Sequence, residues 1–172
     1  MEPSNERVIE IARRTRKNLE YLYAQYDLGA PVYEFTQLFN SMLGVLVCLR
    51  EEYFHGADIE WAEVEQVGLI VRPSLKSKCD KFSRLITQTR HAFAHSNYDF
   101  IGDTQRRIRG ITVWNTPSST PAHERKQKRN WTWTTDFTED ELWDFAMLML
   151  NYLELSLGET VNGEPYDPPD AP

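Results

Sequence analysis

One short run in this chain holds the residue types for acid–base chemistry on a phosphate: Arg90-His91-Ala92-Phe93-Ala94-His95. Histidine titrates near neutral pH and can act as general base or acid. Arginine stays charged, and its planar fork matches a phosphate. Together they suit RNA cleavage, in which the 2′-hydroxyl attacks its own phosphate while a cation stabilises charge growing on the phosphoryl oxygens. That reaction calls for no metal and no other cofactor. The ordinary reading of such residues in a helical run is solvated side chains, so their surroundings have to decide.

The surroundings are basic. Residues 84–130 contain nine bases (Arg84, Arg90, Arg106, Arg107, Arg109, Arg125, Lys126, Lys128, Arg129) against three acids (Asp99, Asp103, Glu124), a local charge of +6. The whole chain is at −7, which leaves −13 on the remainder. A basic segment on an acidic protein points to a specific anionic ligand rather than to general polyanion binding. Arg106, Arg107, Arg109, Arg125, Lys126, Lys128 and Arg129 are the candidate RNA-binding residues, and Arg90, His91 and His95 the candidate catalytic ones. Metal binding is the rival reading, because His91 and His95 at i, i+4 share a helix face as zinc-binding pairs do. It needs a third ligand, for which Asp99 or Asp103 is near, and the adjacent arginine disfavours a cation.

The elements that position the motif follow from hydrophobic spacing. A chain of 172 residues can bury one core unaided. Ser4 or Asn5 caps a first helix to about Tyr26, striped by Val8, Ile11, Ala12, Thr15, Leu19 and Leu22. A second helix is predicted over 33–54, and a short one over 59–66. Ser74 opens a third long helix whose stripe, Leu75, Cys79, Phe82, Ile86, Thr89 and Phe93, ends in the motif. On a helical wheel Arg90 lies about 60° off that stripe and both histidines fall near its back. Two strands are predicted over 107–114 and 131–135, forming a hairpin over about 105–136, with a long mobile basic tip at 116–130. The last helix starts at a capping box, Thr138-x-x-Glu141, flanked by a Phe137/Leu142 staple. Its nearly all-round apolar surface predicts cover on both sides, by the bundle and by a second subunit. Cys48 and Cys79 sit in apolar patterns and read as reduced core residues, which fits a cytoplasmic location. The chain shows neither a secretory leader nor a membrane-length apolar run, and no membrane partner is expected. The fold expected is mainly α: an up-and-down bundle of four or five helices over 1–157, a β-hairpin inserted before the last helix, and a disordered acidic, proline-rich tail over 158–172.

Geometry poses one difficulty. Positions five apart on an ideal helix lie about 140° from each other, so Arg90 and His95 of one chain do not share a face. Either the helix unwinds after Phe93, or two chains meet about a two-fold axis and each contributes to a composite site.

Arg90-His91-Ala92-Phe93-Ala94-His95, placed at the end of the third long helix of a bundle, resembles the HEPN family, whose signature is arginine, a polar residue, three more residues and histidine. The resemblance implies a homodimer with motifs from both chains lining one cleft, metal-independent cleavage of RNA to 2′,3′-cyclic phosphate ends, and a role in toxin–antitoxin systems or antiviral defence. It implies that Arg90 contacts phosphate, His91 shapes the site and His95 is catalytic. A non-catalytic module that binds a nucleotide or a partner protein is the alternative, and an antitoxin or other regulatory partner is a further expectation. In one branch of the family a tyrosine two positions after the histidine is modified with AMP. Here that position is Asn97, and Tyr98, the next residue, is the candidate modification site.

Overall fold

The computed structural model describes residues 5–46, 53–54, 56–105 and 107–158. It is mainly helical, with a small antiparallel sheet. In chain order come α1 (Asn5–Asp27), α2 (Glu34–Gly44), α3 (Trp61–Gln66), α4 (Pro73–Lys76), α5 (Phe82–Ala94), β1 (Tyr98–Gly102), β2 (Ile108–Asn115), β3 (Trp133–Thr138) and α6 (Glu139–Gly158). Cys48, Arg106 and the acidic tail over 159–172 lie outside the described residues.

The core is built where the apolar stripes meet. Helix α1 packs on α6 and α2, α6 also touches the sheet, and α5 lies across β2. Ala12, Leu19, Leu38, Met42, Phe82, Leu85, Ile86, Phe145, Met149 and Leu153 are essentially solvent-free. Arg16 reaches from α1 to Glu154 of α6 at 3.0 Å, a half-buried pair that ties the first helix to the last. On α6, Leu142, Leu148 and Leu150 are buried within the single chain, and Leu155 is exposed. The apolar circumference of this helix is therefore met largely by the chain's own packing and does not by itself require a second subunit.

Three expectations change. The hairpin is a three-stranded sheet of order β1-β2-β3, in which Tyr98 faces Val113 and Phe100 faces Ile111, while Val113 pairs with Thr135 on the other side. Tyr98 and Phe100 alternate with Asp99 and pack against Phe39 at 5.0 and 5.2 Å, a period-two pattern short enough to pass as a loop. The third long helix is broken into α4 and α5. At the break the Lys78 and Cys79 carbonyls accept from the indoles of Trp133 (3.2 Å) and Trp61 (2.9 Å), so tertiary partners take the acceptors that a continuous helix would use. The second helix, expected to run over 33–54, is α-helical over Glu34–Gly44, with π-type turns at 45–46 and 53–54, and residues 47–52 lie outside the described residues.

The capping box at the start of α6 is present in both directions. Glu141 N–H donates to Thr138 Oγ1 (3.2 Å) and Thr138 N–H to Glu141 Oε2 (3.1 Å), with Lys78 Nζ at 3.0 Å from the same carboxylate. Burial pushes the Glu141 carboxyl up, but the Ser74 hydroxyl, the Thr138 N–H and the Lys78 ammonium around it outweigh burial and leave it below its ordinary value. A carboxyl lowered by folding stabilises the protein above its unfolded pKa, and that contribution is lost as pH falls through the lower folded value. Glu141→Gln should therefore cost about 1 kcal/mol at pH 7, with a gap to wild type in thermal melts that shrinks towards pH 3.

Gly110 lies where the backbone of β2 runs close against that of β3. A Cβ there would press on the Phe137 carbonyl oxygen well inside van der Waals contact, and both neighbours are backbone. Gly110→Ala should destabilise by roughly 1–3 kcal/mol, measured by urea denaturation.

Candidate active site

Helix α5 carries the motif and ends at it. His95 is the C-cap, with φ −103° and ψ 9°. Ser96 follows in the left-handed region at φ 53°, a conformation that a serine adopts only at some steric cost. The Ser96 N–H donates to the Phe93 carbonyl (3.1 Å) and the Asn97 N–H to that of Ala92 (2.8 Å), the paired bonds of a Schellman ending. Asn97 is buried, and its carbonyl accepts from Trp114 N–H at 3.1 Å, which fastens the helix end to the sheet. The helix does stop at the motif, but only after Ala94, so His95 stays on the wheel of α5.

Gln88, His91 and His95 at i, i+3 and i+7 share one face. Together with Asn97, Asn115 at the end of β2, the following residues Thr116, Pro117 and Ser118, Arg125 and Thr132 they line a cleft of about 390 Å³. Both histidines are exposed, with their rings 6.4 Å apart and nearly perpendicular. Asn115 joins the two walls, donating through Nδ2 to the Gln88 carbonyl (2.9 Å) and to Gln88 Oε1 (2.5 Å). Amides, hydroxyls, two imidazoles, a guanidinium and Pro117 make this lining, and among the described residues no carboxylate belongs to it. Such a surface suits an anion.

Arg90 is half-buried and does not line the cleft. It lies two residues from Gln88, about 200° round the helix, and so presents to another side of α5. The basic segment is also dispersed. Arg107 and Arg109 bind Asp103 at 2.9 and 3.3 Å, at the far end of β2 from the cleft. At about 3.4 Å per residue, Arg109 and Asn115 stand on the order of 20 Å apart. The main-chain N–H of Arg107, then its side chain, the Gln105 N–H and Arg109 hold the Asp103 carboxyl down at about 2, against the opposing pull of desolvation. Lys126 pairs with Asp99 at 2.9 Å, and Lys128 lies over the Trp131 ring at 5.8 Å. Arg129 is exposed, in the 3-10 turn Lys128–Asn130. Tyr98 is half-buried in an aromatic cluster with Phe39, Phe93 and Phe100. Asp99 and Asp103, the acids a metal reading would call on, are thus engaged by basic side chains, and among the described residues no three potential ligands gather.

A family model described as HEPN pEK499 p136 matches residues 1–157. The chain belongs to the HEPN family. Neither the curated proteins nor the solved structures contain a match. No described helix of this HEPN protein is long and apolar enough to cross a membrane.

The tip of the sheet, expected to be a long mobile basic loop, has local structure and tertiary contacts of its own. Two 3-10 turns, Ala122–Glu124 and Lys128–Asn130, shape it. Trp131 stacks on Trp114 at 4.8 Å and 14°, and both indole N–H groups converge on the Arg125 carbonyl at 2.9 and 2.8 Å. A two-donor grip on one carbonyl organises a segment whose polar composition reads as a free loop. Gln88, Asn97, Asn115 and Thr132 are site residues that sequence reasoning missed. For Gln88 a signal existed, since it lies on the helical face of His91 and His95.

Proposed function

We propose that this HEPN protein is a metal-independent endoribonuclease that cleaves RNA through a 2′,3′-cyclic phosphate. The observation that carries the reading is the cleft that gathers His91 and His95 with amides and an arginine and, among the described residues, holds no carboxylate. In the proposed reaction His95 takes the proton of the 2′-hydroxyl or returns one to the leaving 5′-oxygen, and His91 shapes the site and shares the acid–base work. Arg90 stabilises charge on the phosphoryl oxygens. Because Arg90 faces away from its own chain's cleft, the proposal includes a homodimer in which each chain's Arg90 serves the other chain's histidines. Such an enzyme acts in the cytoplasm as a toxin or antiviral-defence effector, held in check by an antitoxin or other regulatory partner.

The position of Arg90 outside the cleft also favours a second reading, a module that binds a nucleotide or a partner protein without turnover. Incubating the purified protein with RNA in EDTA separates the two. Products ending in 2′,3′-cyclic phosphate support the nuclease. Nucleotide or RNA binding with no cleavage supports the binding module.

A further inference from the structure

We infer that Arg125 is the anion-holding residue of the cleft and supplies, from the same chain as His91 and His95, the phosphate contact that Arg90 of that chain does not reach. The inference rests on the proposed reading of this cleft as a phosphate site. Among the described residues, Arg125 is the one cation of the lining other than the two imidazoles. Its situation differs from that of the bases held by acids, and Lys128 and Arg129, which pair with no carboxylate among the described residues, are not in the lining. Lys126 is engaged by Asp99, and Arg107 and Arg109 by Asp103, whereas among the described residues no carboxylate pairs with Arg125. Its Nε donates to the Thr120 carbonyl at 3.3 Å, a single neutral contact that orients the guanidinium without discharging it.

The backbone beneath this side chain is held with unusual force for a loop. Trp114 is 1 % exposed, and its indole and that of the stacked Trp131 both donate to the Arg125 carbonyl. Asn130 Nδ2 adds a bond to the preceding carbonyl, that of Glu124, at 3.1 Å. Three side-chain donors thus fix two consecutive peptide groups at the root of one arginine. An arginine held in this way gives up little conformational freedom when it binds, which is what preorganised recognition of an oxyanion requires. The ligand class is a phosphate monoester or diester, gripped by the guanidinium fork and flanked by the imidazoles.

The test uses the full chain and inorganic phosphate, followed through the histidine ring-proton NMR signals, alongside RNA cleavage. The indoles hold the main chain of Arg125, so Arg125→Ala leaves their bonds in place and the fold intact, as an unchanged thermal melt will verify. Phosphate should perturb the His91 and His95 signals of the wild type. Arg125→Ala should weaken that response about tenfold or more, Arg125→Lys should retain part of it, and KM for RNA should rise in both. Trp131→Phe, which keeps the stack and removes one donor, should weaken phosphate binding to a smaller extent. A wild type that ignores phosphate, or an Arg125→Ala variant that binds it as well as the wild type, overturns the inference. Phosphate binding lost in Arg125→Ala while the wild type leaves RNA uncut upholds Arg125 and sinks the nuclease reading instead.

Discussion

His95→Ala should slow RNA cleavage by about 10² to 10⁴-fold while leaving the thermal melt of the protein nearly unchanged. The two halves of this expectation have different sources. The rate loss follows from removing a positioned acid–base group from the cleft. The intact fold follows from the way α5 ends: the helix stop uses the main-chain N–H groups of His95, Ser96 and Asn97, donated to the carbonyls of His91, Phe93 and Ala92, and the His95 side chain is exposed. Arg90→Ala is expected to lose a comparable share of activity, but Arg90 is half-buried, so its loss has to be read against a parallel stability measurement. Equal rates for wild type and His95→Ala would remove the histidine from the mechanism. A mixture of the two single variants distinguishes the architectures, since a composite site built from two chains should regain part of its activity when one chain contributes an intact Arg90 and the other an intact His95.

How much of this was legible in the sequence depends on how far apart the interacting partners are. The capping box of α6 and the wheel position of His91 and His95 rest on neighbours three or four residues away, and both are seen as expected: the reciprocal Thr138/Glu141 bonds form, and both imidazoles are exposed. The break between α4 and α5 is invisible locally, because Leu75, Cys79 and Phe82 keep helical spacing and are all buried. What ends the helix there is a pair of indoles 18 and 55 residues away in sequence. Strand β1 is short and reads as a linker until Phe39 supplies the ring against which Tyr98 and Phe100 pack. The charge count over 84–130 showed a surplus of cations but could not show which were already spent on Asp99, Asp103 and, for Arg84, Asp80. Composition measures net charge, whereas a binding site depends on the cations left without an acid. Together with its place in the lining of the cleft, that distinction separates Arg125 from a segment in which several bases looked equivalent.

Trp114→Ala is expected to destabilise the protein by about 3–5 kcal/mol, the largest single-residue effect on stability anticipated outside the helical core. The side chain is 1 % exposed, so its removal leaves a cavity on the sheet, and it also strips Trp131 of its stacking partner. Trp114→Phe should cost far less, about 1–2 kcal/mol, because a ring still stacks and the Arg125 carbonyl keeps the Trp131 donor. The comparison carries a functional consequence. If the indole pair exists to fix the tip, the Ala variant, studied at a temperature where it remains folded, should show faster amide exchange over 116–130 and a higher KM for RNA. The core amides of α6 should exchange faster only by the factor that the lower global stability dictates. A Trp114→Ala variant with lowered stability but unchanged tip exchange and unchanged KM would make Trp114 a core residue and nothing more. The two indoles meet on a single carbonyl at the root of the arginine that lines the cleft, which makes local release of the tip the outcome that their geometry requires.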